Sequence, residues 1–114
     1  MSIEDMLKGL REEYLQELPE KISDIEMVIE SEDREDLHQC FHKLKGTGMT
    51  YGIPEISTLC ASVEEIIEKD FDQGLKSSQV ATMLLRKIHD SRVKGQPFDL
   101  ETDLDFQKIL SQTQ

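Results

Sequence analysis

Tryptophan is absent from this 114-residue chain, and tyrosine and phenylalanine together supply only six residues. No apolar run approaches the roughly 20 residues that a membrane-spanning helix needs. The opening stretch, MSIEDMLKGL, lacks the basic region and apolar core of a secretory signal. A cytoplasmic location is the expectation that follows. Positive charge is scarce: 13 lysines and arginines face 24 aspartates and glutamates, a net charge of -11 with histidine neutral. Such a surface repels phosphate backbones and anionic headgroups, so neither nucleic acid nor a membrane is an expected partner. Cysteine is sparse too. Cys40 and Cys60 both fall in segments of helical apolar spacing, which reads as free buried thiols rather than a disulfide. Strand-like alternation, internal repeats and a phosphate-cradling glycine loop are all missing, so the chain is not expected to bind ATP or act as a kinase.

What is present is helical periodicity in a length that suits one domain. Ile3, Leu7, Leu10, Tyr14, Leu18, Ile22, Ile25 and Ile29 recur at intervals of three and four. Pro19 interrupts that run and predicts two nearly collinear segments, one to about Leu18 and one from Pro19 to Glu30. Asp33 is the expected N-cap of the next helix, with Glu35 and Asp36 at its positive end and Leu37, Phe41 and Leu44 inward. Gly52 and Pro54 punctuate a turn. Ile56, Leu59, Cys60, Val63 and Ile67 define the following helix, which Gly74 is expected to close. A last clear helix should start near Ser77 or Ser78 and bury Val80, Leu84 and Ile88. Gly95 and Pro97 mark a boundary. The pattern predicts an all-α, antiparallel four-helix bundle over residues 1–95 with an additional N-terminal helical segment. Residues 96–114 form an acidic extension with a short helical pattern at Phe106, Ile109 and Leu110. Acidic stretches such as EEIIEKD read as solvated helix faces.

The chemistry concentrates in CFHKLKGTGMTYG, residues 40–52. Advancing about 100° per residue from Leu37 puts Phe41, Leu44, Gly48 and Tyr51 on the core face. His38, His42, Lys45 and Met49 fall on the flank, at about 80° to 140°, and Gly46 at about 180°. His42 is therefore not a core histidine. An exposed neutral imidazole is a nucleophile toward phosphorus, and an ammonium one turn on can hold a transferred phosphoryl group. Gly46 leaves room for a partner to approach the ring, whereas Gly48 suits close helix packing. His38 and His42 also have the i, i+4 spacing of helical zinc ligands. A site would need a third and fourth ligand; His89 lies in another helix and Cys40 points toward the core, so no metal is expected. His89 reads as a surface residue.

The segment HKLKG, His42 to Gly46, resembles the His-x-Leu-Lys-Gly pattern of histidine-containing phosphotransfer (HPt) domains. Gly52 falls at the family's second glycine. LCASVEE from Leu59 is similar to its Leu-Cys-x-x-Leu-Glu stretch, with Val63 in place of leucine, and YLQELPEKISDI is similar to its entry into the bundle. The resemblance spans roughly residues 10 to 92. It departs from the pattern at Gly48 and Tyr51, which concern packing, and at His38. It implies a phosphorelay carrier in two-component signalling, with His42 as phospho-acceptor, Lys45 contacting the phosphoryl group and Gly46 giving clearance to a response-regulator receiver domain. A sensor histidine kinase, often hybrid, would be the other partner. The Mg²⁺ of such transfers belongs to the receiver, so no cofactor is expected on this chain, which should act as a monomer. His38, Met49 and Ile53 are candidate partner contacts. A binding module that docks without transfer, or the first domain of a chemotaxis-type kinase, are the competing readings; the length and acidic tail favour a free-standing protein.

Overall fold

The computed structural model describes residues 2–113. Among them are five helices: α1 (Ile3–Ser31), α2 (Arg34–Thr50), α3 (Pro54–Lys69), α4 (Phe71–Val93) and α5 (Leu104–Ser111). The first four pack as an antiparallel bundle joined by short turns. Its core is mainly aliphatic, with Leu18, Ile22, Leu37, Phe41, Ile56, Leu59, Val63, Ile67, Leu84 and Ile88 all fully buried. Asp33 caps α2 as expected, its carboxylate accepting from the Asp36 N–H at 2.9 Å, and Pro54 opens α3 at its first turn.

Several expectations from the sequence are corrected. First, Pro19 does not divide the N-terminal region; α1 runs through it without a break. A proline inside a helix leaves the carbonyl four residues earlier without its N–H donor. That carbonyl belongs to Leu15, and the His89 Nε2–H of α4 donates to it at 3.0 Å. His89, expected at the surface, thus replaces the bond that Pro19 cannot make.

Second, Gly74 does not end a helix. α3 stops at Lys69 and α4 begins at Phe71, with Asp70 serving as the cap of both. Asp70 has an extended backbone, and its side chain accepts from the Gln73 N–H. The sequence signal was Asp70 followed three residues on by Gln73, a helix-start pattern. Gly74 sits one turn inside α4, where a Cβ would lie 2.9 Å from the Ile67 Cα, so it serves helix approach instead. Ile3, Leu7 and Leu10 continue the apolar spacing of α1 but are exposed, at 76%, 49% and 43%. α1 has 29 residues, about 43 Å of helix, and its first turns extend past the end of α2. Tyr14 is the first residue of the seam to be buried.

Residues 96–113 run back over the bundle. The Phe98 N–H donates to Glu55 Oε2 at 3.0 Å, and Leu100, Phe106 and Ile109 are buried. Glu55 also receives two hydrogen bonds from Arg92, at 2.8 and 2.6 Å. Burial pushes the Glu55 carboxyl up, but these donors outweigh it and hold it below the usual carboxylate range. Both cysteines are free. Cys60 is buried, and desolvation pushes its thiol well up; Cys40 is half-buried in the groove between α1 and α2.

Candidate functional site

The site is set by how α2 ends and how α3 lies against it. α2 terminates at Thr50, and Gly52, at φ +76°, reverses the chain. That left-handed conformation favours glycine. The reversal also turns Ile53 inward. Ile53 is fully buried and its N–H donates to the Gly48 carbonyl at 2.8 Å. Its expected place among the partner contacts is therefore wrong: it is a core residue at the α2–α3 corner.

Gly48 faces α3 at very short range. A Cβ there would stand 2.5 Å from Ser57 Oγ and 2.9 Å from Ser57 N. Ser57 Oγ donates to the Lys45 carbonyl at 2.6 Å, which clips α3 onto α2 beneath the Lys45 side chain. On the other side, Tyr14 stacks on Tyr51 with ring centroids 4.9 Å apart and shares a 2.9 Å hydrogen bond with Thr47. Arg11 Nε donates to the Tyr51 carbonyl at 3.0 Å. The last turn of α2 is thereby held by both neighbours.

On this platform the His42 side chain is 56% exposed and that of Lys45 is 40% exposed. Gly46 borders open space: a Cβ added there would meet nothing within 4 Å. Met49, on the same flank, is 67% exposed. His38 is half-buried, its ring 6.1 Å from that of His42 and nearly parallel to it. The structure thus brings His38, His42, Lys45, Gly46 and Met49 to one face and takes Ile53 out of it.

Sequence reasoning missed Glu64. Read as part of a solvated acidic face, it is instead buried at the centre of the site. Its Oε1 lies 3.1 Å from His42 Nδ1 and 3.5 Å from His38 Nε2, and its Oε2 lies 3.1 Å from Lys45 Nζ. Oε2 is buried, and the Lys45 ammonium is its one close partner among the described residues. Burial pushes the Glu64 carboxyl up, yet the His42 and Lys45 contacts outweigh it, and Glu64 stays ionised below the usual carboxylate range. A signal was available in the sequence: Glu64 follows Val63 directly and lies i+4 from Cys60, so it borders the buried stripe of α3.

A carboxylate can only accept. The Glu64 contact therefore places the neutral ring's proton on His42 Nδ1 and leaves the Nε2 lone pair facing solvent. Residues 9–95 match the Hpt domain family. The chain belongs to the Hpt domain family. No curated protein and no solved structure gives a significant match. Membership carries a phosphotransfer role in two-component phosphorelay, and Hpt domains interact in general with receiver domains and histidine kinases. No helix of the described residues is long and apolar enough to cross a membrane.

Proposed function

We propose that this Hpt domain carries a phosphoryl group on His42 Nε2 and exchanges it with the aspartate of a response-regulator receiver domain. The observation that carries the reading is the pairing of an outward Nε2 with an inward Nδ1–H held by a buried, ionised Glu64. In the forward step the Nε2 lone pair attacks phosphorus, a P–N bond forms, and the P–O bond to the aspartate breaks as its carboxylate leaves. Positive charge builds on the ring as Nε2 bonds to phosphorus. The Glu64 carboxylate at Nδ1–H offsets that charge and keeps the ring oriented. Lys45 pairs with Glu64 at 3.1 Å but its side chain is 40% exposed, so its ammonium can turn to the incoming phosphoryl oxygens. Gly46 and Met49 border the ring and form the surface a receiver would cover, with His38 at its edge.

The domain makes no phosphohistidine of its own in this reading. It receives the group from a sensor kinase or a phosphorylated receiver in the cytoplasm and passes it on. The test is incubation with a phosphorylated receiver and separation of the labelled chains. The wild type is expected to gain an acid-labile, base-stable label, and His42→Gln to gain none. Labelling of His42→Gln at the wild-type level sinks the assignment. Unchanged signalling by His42→Gln in cells would instead favour a module that binds without transfer.

A further inference from the structure

The sequence offers His38 and His42 one turn apart, with no sign of further ligands near them. The fold supplies those ligands from α3. Glu64 and Glu68 are also one turn apart, on the face of α3 that meets the two histidines. Three atoms converge on one spot: His38 Nε2, Glu64 Oε1 and a Glu68 carboxylate oxygen all lie within 4.8 Å of one another. His38 Nε2 is 2.8 Å from Glu68 Oε1 and 3.5 Å from Glu64 Oε1. A tetrahedral Zn²⁺ with bonds of about 2.0–2.1 Å sets its ligand atoms about 3.3 Å apart, a spacing that these two distances bracket. A second observation points the same way. The Glu64 side chain is only 9% exposed, and with its Oε2 held by the Lys45 ammonium at 3.1 Å its Oε1 is fixed toward His38.

We propose that His38, Glu64 and Glu68 form a binding site for a divalent transition-metal ion of the Zn²⁺ class, beside the phospho-acceptor. One imidazole and two carboxylates, with the Lys45 ammonium 3.1 Å from one of them, still present net negative charge to a dication, on a protein whose net charge is already -11. The imidazole and the small ligand number select against Mg²⁺ and Ca²⁺, which favour oxygen ligands and more of them. Three protein ligands leave a fourth position open to water or another oxygen donor. The half-exposed Glu68 and His38 side chains, at 56% and 28%, give an ion access from solvent. Glu64 Oε1 is shared: it is the same oxygen that accepts from His42 Nδ1–H. An ion that takes this oxygen withdraws it from His42, so metal binding loosens the tautomer and orientation of that ring. This linkage, unlike the binding itself, rests on His42 being the acceptor.

The test is calorimetric titration of the full chain with Zn²⁺ in a non-coordinating buffer, with Mg²⁺ as the comparison ion, joined to NMR of the histidine ring nitrogens. The expected result is one Zn²⁺ per chain, with Mg²⁺ binding at least tenfold weaker. His38→Ala and Glu68→Gln should each weaken Zn²⁺ binding at least tenfold while circular dichroism shows an intact bundle, and Cys40→Ser and His89→Gln should bind as the wild type does. Zn²⁺ is expected to move the ring resonances of both His38 and His42. Equal binding by His38→Ala and Glu68→Gln, loss of binding in Cys40→Ser, or Mg²⁺ binding as tight as Zn²⁺ overturns the site. Shifts at His38 with none at His42 overturn the linkage. Because the titration uses unphosphorylated protein, its outcome is separate from the labelling of His42.

Discussion

Replacing Gly46 and Gly48 by alanine, one at a time, should change stability in opposite directions although both lie in the same helix. Alanine is favoured over glycine in a helix interior by about 1 kcal/mol. At Gly46 the added methyl meets nothing within 4 Å, so Gly46→Ala should realise that gain and raise Tm by about 4 °C. At Gly48 the same methyl meets Ser57 Oγ at 2.5 Å, Ser57 N at 2.9 Å and the Ile53 carbonyl oxygen at 3.1 Å. Two of these are backbone atoms and cannot rotate away. The third moves only by breaking the 2.6 Å bond to the Lys45 carbonyl, at about 1 kcal/mol. Overpacking adds about 1–3 kcal/mol, so Gly48→Ala should lose about 1–3 kcal/mol after the propensity gain. Urea denaturation followed by circular dichroism measures both. Function should separate the two as well. A steric cost of about 1.4 kcal/mol at a docked receiver is about a tenfold loss, so Gly46→Ala should be more stable yet about tenfold slower in receiver-dependent labelling. A Gly46→Ala protein that is no more stable than wild type refutes the open-space argument, and one that is labelled at the wild-type rate refutes the clearance role.

Three further outcomes are expected. His89→Ala removes the donor to the Leu15 carbonyl and should cost about 1–2 kcal/mol; Pro19→Ala restores a backbone donor, so the double variant should recover much of that loss in a double-mutant cycle, and full additivity would count against the pairing. Arg92→Ala strands the buried Glu55 and should cost about 3–5 kcal/mol, with faster proteolysis of residues 96–113; cleavage at the wild-type rate would show that Glu55 does not hold that segment through Phe98. Glu55 and Glu64 both titrate below their usual range in the folded state. The unfolded chain therefore binds more protons as pH falls from about 5, and the urea midpoint should drop as those folded carboxyls protonate. Glu55→Gln and Glu64→Gln should each flatten that slope, and a midpoint constant between about pH 6 and 3 would refute the assignment.

Much of the fold was legible because the bundle helices bury periodic stripes, and periodicity survives in one dimension. The Asp33 cap, the Gly52–Pro54 turn and the inward set on α3 are local signals with local causes. The errors came from features whose meaning depends on another helix. Pro19 reads as a break unless His89 is known to face the Leu15 carbonyl. Gly74 reads as a stop unless Ile67 is known to press against it. Ile53 reads as exposed until the Gly52 reversal turns it inward. Ile3, Leu7 and Leu10 keep the periodicity of a buried stripe although α1 extends beyond its neighbours there.

By itself the sequence determined the helical class, the flank on which His42 and Lys45 stand, and the different settings of Gly46 and Gly48, because one helix fixes the angles between its own side chains. Only the tertiary structure decided what faces that flank. It set Glu64 from α3 between His42 and Lys45 and brought Glu68 to His38. Angles within one helix say nothing about the rotation of its neighbour, which depends on the packing of Gly48 against Ser57 and of the buried stripes against one another.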